Sequence, residues 1–194
     1  MNYQSESISS FSGEGPHDIT ELKGRCDLMP LETIAEFSRY LSSVTEPPKE
    51  SFSGEVLFKY LNDFTGSGNK IFIHYILELF IGTFYGGNVG TALLGLAVHF
   101  EQDAQLYSER SWEAGIYCHH YINGALRHGL KLLRGDQDSV QARAFMWNLF
   151  CLLWTIDNRP QFNDLKYAQA DVTNSLVSAS TIQEVEESVR TYIN

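Results

Sequence analysis

The sequence predicts an all-α protein, a single-domain globular bundle of about six to eight helices around two central, nearly all-apolar helices. Three observations carry this. Apolar residues recur at three- and four-residue spacing along most of the chain. No segment alternates apolar with polar residues, and no Asn-Gly turn joins two extended runs. Gly, Pro and capping residues punctuate the chain at intervals of helix length.

Residues 1–29 are rich in Ser, Gly and acidic side chains and show no period, so they read as a weakly ordered N-terminal segment before a helical domain over 30–194. Pro30 stands where a helix can begin. In "LETIAEFSRYLSSV", Leu31, Ile34, Phe37, Leu41 and Val44 share one face, and "EPPKE" ends the helix. Ser53 caps a second helix, which places Val56, Leu57, Tyr60, Leu61 and Phe64 inward before "TGSGN" stops it. The run from 71 to 85 is apolar on nearly all sides, which marks a buried central helix.

Residues 79–98 carry no charge and have the length of a membrane span. Gly86-Gly87-Asn88 reads as a helix stop followed by an N-cap, however, so two shorter buried helices are expected and no span. Ser111 is read as the cap of the next helix, which holds "YCHHYINGALRHG" and ends at Gly135. Asp138 or Ser139 caps the second central helix, over 139–156, and Asn158-Arg159-Pro160 breaks it. A short helix after Pro160 and a final one opening at Thr181 and Glu184 complete the pattern.

The chain has 194 residues, 43% of them hydrophobic and 20% charged, which suits one soluble domain. Net charge is −10 and pI about 5.0. Such a surface repels a phosphate backbone, so nucleic-acid binding is not expected, while a basic protein partner is compatible. The largest basic cluster is Arg127, Lys131 and Arg134 on one helix. Cys26, Cys118 and Cys151 have no zinc spacing, and no apolar leader opens the chain, so a cytoplasmic location is the default.

Three histidines fall within "YCHHYINGALRHG". Projected on a helix, His119 joins Ile122, Leu126, Leu130 and Leu133 on an inward apolar stripe. Glu113, Tyr117, His120, Tyr121 and His128 face outward as interface candidates. His120 and His128 stand ~12 Å apart along the axis, too far to share one metal. His74 and Glu78 do have ligand spacing, on the apolar central helix, and His99 on the next helix could join them. No complete metal or catalytic constellation is present, and no cofactor is implied.

Two functions of different class follow. The first is a non-enzymatic protein-binding or regulatory protein, inhibitor- or immunity-like, with an acidic docking surface. The second is a small helical enzyme or ligand- or metal-binding protein with a polar site between the central helices, at His74, Glu78 and His99.

Overall fold

A computed structural model describes residues 22–46, 48–136 and 138–169. Six α-helices, three short 3-10 turns and a helical turn at 166–169 occupy these residues, with no strand among them. The helices are α1 (Leu31–Ser43), α2 (Gly54–Ser67), α3 (Ile71–Tyr85), α4 (Val89–Leu106), α5 (Cys118–Arg134) and α6 (Ser139–Asn158). The expected all-α bundle is the architecture found. The final helix expected from Thr181 lies outside the described residues.

Local chemistry sets the helix ends. Ser53 accepts a hydrogen bond from the Val56 amide, Asn88 from Thr91 and Asp138 from Val140, so each N-cap lies where the sequence puts one. At Gly86 and Gly87 the backbone turns through φ of +58° and +79°, a region that favours glycine. The uncharged run therefore breaks into α3 and α4, bent 98° apart. No single described helix is long and apolar enough to cross a membrane.

The helix α6 is the hub and packs against α1, α3, α4 and α5. Its Phe145, Met146, Leu149, Phe150, Leu152 and Leu153 are fully enclosed. On α3, Ile73, Ile76, Leu77 and Phe80 are likewise enclosed, as expected of two central apolar helices. Each such side chain contributes about 1.5–3 kcal/mol through burial. Part of the N-terminal segment also carries structure. Leu28 and Met29 are buried, and the Leu28 carbonyl accepts a bond from Trp112 Nε1 (3.1 Å).

The helix α5 departs from the projection made above. Ser111 starts only a 3-10 turn, Ser111–Ala114, and α5 begins at Cys118. Its buried stripe is Cys118, Tyr121, Gly124, Ala125, Gly129 and Leu132, while Leu130 and Leu133 stay exposed. The inward face is turned about 100° from the aliphatic stripe. Small residues explain the turn, because they let α5 approach α6 closely. A Cβ on Gly124 would lie 2.1 Å from Asn148 Oδ1, inside any permitted contact. Close packing over this face outweighs the burial of a few more leucines.

Candidate functional site

His74 and Glu78 lie one turn apart on α3, facing α1. His74 is 4% exposed, and its ring lies against Phe37 and Tyr40 with centroids 5.9 and 5.2 Å away. Its Nε2 is buried without a partner, and burial holds its pKa below the ordinary value. Glu78 Oε2 accepts a 2.5 Å hydrogen bond from the Tyr40 hydroxyl. Glu78 also lines a cavity of about 500 Å³ with Phe37, Leu41, Glu50, Gly82 and Val89. His99 shares no contact with this pair. Its neighbours are Trp147 and Asp103, so the expected trio is divided between two parts of the bundle.

Around His99 the structure assembles a second polar group, drawn from three helices. On α4, His99 Nε2 stands 3.9 Å from Asp103 Oδ2, and the two side chains are 15% and 22% exposed. From α6, the Trp147 ring lies 5.9 Å from the His99 ring. His99 Nδ1 and Trp147 Nε1 are both buried without a hydrogen-bond partner. From α5, His128 meets Gln141 of α6 through Nδ1 and Oε1 at 2.7 Å. With the amide oxygen as acceptor, Nδ1 carries the proton.

The electrostatics of this group are unusual. Burial, with smaller contributions from the positive charge of Arg143 and from His128, lowers the His99 pKa to about 4. Burial alone raises Asp103 to about 6. At neutral pH a neutral imidazole thus sits beside a carboxyl group that titrates just below neutrality. Unpartnered buried polar atoms and displaced pKa values together mark a candidate site for proton-handling chemistry. Among the described residues, no group of three or more His, Cys, Asp or Glu side chains is arranged so as to hold a metal ion.

One signal for this site was legible: His99 and Asp103 are four residues apart on one helix. The contributions of α6 were hidden, because Gln141, Arg143 and Trp147 sit in a helix whose overall character is apolar. His128, expected to face outward, is half-buried and turned toward α6.

The other interface candidates divide. Tyr117 and His120 are exposed, and Glu113 is ion-paired with Arg110. Tyr121 is 1% exposed and packs beside Trp147, so its expected place on the outer face is corrected. The rotation of α5 toward its small-residue face carries it inward. The same rotation carries His119 outward, where its Nδ1 and backbone amide both meet the Asp164 carboxylate. Tyr117 offers α5 no side-chain cap, and Asp164 takes that role from a distant part of the chain. Burial raises the Asp164 pKa, but the bonds from His119 outweigh it and the net direction is down. His119 and His120 touch ring to ring, with centroids 3.9 Å apart.

The fold and the His99–Asp103 group define a helical protein with an interior polar site between packed helices. Residues 79–165, a little under half of the chain, match the family model described as "dATP/dGTP diphosphohydrolase, N-terminal". This segment is similar to part of an enzyme. It contains His99, Asp103, His128, Gln141, Arg143 and Trp147, whereas His74 and Glu78 precede it. No curated protein and no solved structure matches the chain.

Proposed function

We propose that this chain acts on a purine deoxynucleoside triphosphate, with the group around His99 and Asp103 as its proton-handling site. One observation carries the reading. The segment similar to the dATP/dGTP diphosphohydrolase N-terminal region encloses every member of that group. Hydrolysis to a nucleoside monophosphate and diphosphate consumes one water. Its oxygen bonds to phosphorus, the bond to the leaving diphosphate breaks, and one proton must be taken up. A carboxylate with a pKa of about 6 is deprotonated at neutral pH yet basic enough to take that proton. The neutral His99 beside it adds no competing charge. His128, its Nδ1 proton directed at Gln141, presents a fixed ring to the same region.

The test is titration of the full chain with dATP and dGTP at fixed magnesium concentration, alongside an assay for released diphosphate. Binding of both purine nucleotides is expected. Asp103→Asn should cut turnover at least tenfold at neutral pH without lowering thermal stability there, since it removes a buried charge. A chain that neither binds nor cleaves them refutes the reading.

A second reading keeps a protein-docking role for the acidic surface. It is favoured by Leu106 and Tyr107, exposed at 74% and 76%, which precede α5 together with the exposed Ile116 and Tyr117. Four large apolar side chains around the α4–α5 connection suit a partner surface. Under this reading a basic protein partner docks there, and Tyr107→Glu abolishes its capture without altering nucleotide binding.

A further inference from the structure

Between α2 and α5 runs an open groove of about 650 Å³, lined by Phe58, Asn123, Leu126, Arg127, Leu130, Lys131 and Arg134. Its lining holds three cations and no carboxylate, in a chain whose net charge is −10. Arg134 is already paired with Asp136. Arg127 and Lys131 form no salt bridge among the described residues. On α2, Phe58 is 52% exposed and presents an aromatic ring across the groove.

We propose that this groove holds the substrate nucleotide, with the purine against Phe58 and the polyphosphate over Arg127 and Lys131. The proposal rests on the function given above and adds where the nucleotide lies. Arg127 and Lys131 are four residues apart, so they share one side of α5, with Cβ atoms about 5–6 Å apart. The guanidinium offers a planar fork of donors and the ammonium a point charge, a pairing suited to adjacent phosphates. The two cations also lie between the groove and the proton-handling site. His128 is turned only about 60° to 100° further around the helix from Lys131 and Arg127. A nucleotide whose base rests on the α2 side thus extends its phosphates across this ridge toward His128 and Asp103. The net charge of −10 disfavours the same anion over the rest of the chain on average, which raises the contrast.

Isothermal titration of the full chain with dGTP, inorganic tripolyphosphate and deoxyguanosine tests this. Arg127→Glu with Lys131→Glu should weaken dGTP and tripolyphosphate at least tenfold and leave deoxyguanosine unchanged. The double variant Arg39→Glu with Lys49→Glu makes the same charge change at exposed positions outside the groove, and should shift dGTP affinity less than threefold. Phe58→Ala should weaken dGTP and deoxyguanosine but not tripolyphosphate. If dGTP binds and the groove variants behave like the charge-matched control, the groove assignment is overturned while the function stands. If the unaltered chain binds neither dGTP nor dATP, both fall.

Discussion

Replacing Asp103 or His99 singly should expose two opposed titrations that cancel in the native chain. His99 titrates at about 4 in the fold against 6.5 ordinarily, and Asp103 at about 6 against 3.8. Each difference is worth about 3 kcal/mol, at about 1.36 kcal/mol per pH unit. The Asp103 value is raised in the fold, so its contribution is complete below pH 3.8 and is lost as pH rises through about 6. The His99 value is depressed, so its contribution is complete above pH 6.5 and is lost as pH falls through about 4. Between these limits the two slopes oppose each other, and the pair adds little net pH dependence to native stability. Neither residue is a principal cause of the other's displacement, so each survives removal of its neighbour. Asp103→Asn should therefore lose about 3 kcal/mol relative to the native chain as pH falls from above 6 to below 3.8. His99→Gln should gain about 3 kcal/mol relative to the native chain as pH falls from above 6.5 to below 4. Urea unfolding followed by tryptophan fluorescence at a series of pH values measures both. If the two variants run parallel to the native chain within about 1 kcal/mol, the burial argument for this site is wrong.

Two further outcomes are expected. Gly124→Ala should destabilise the fold by about 2–4 kcal/mol, because its Cβ would meet Asn148 at 2.1 Å and displace the bond that Asn148 Nδ2 donates to the Ala144 carbonyl. Adding Asn148→Ala should recover part of that loss, and an unchanged melting temperature for Gly124→Ala would contradict the close helix contact. In the native chain a thiol reagent should modify Cys26 rapidly and spare the other two cysteines, since Cys118 and Cys151 are buried and burial pushes the Cys118 thiol up to about 12. Rapid labelling of all three before unfolding would show that α5 and α6 separate readily.

The sequence alone determined which residues form helices and where most of them end. Those properties depend on neighbours along the chain: Ser53, Asn88 and Asp138 bond amides two or three residues on, and Gly86 relieves a backbone turn at its own position. It also marked α3 and α6 as central, because a helix apolar on all sides has nowhere else to go. Tertiary structure alone decided how α5 is rotated and what surrounds His99. A stripe of leucines and a stripe of Gly and Ala are rival inward faces. The choice between them rests on how closely α6 can approach, a property of the facing helix. The polar site is fixed the same way: His99 and Asp103 are adjacent by helical spacing, but their displaced titration comes from burial beneath α5 and α6. Burial belongs to the assembled helices and to no single segment of them.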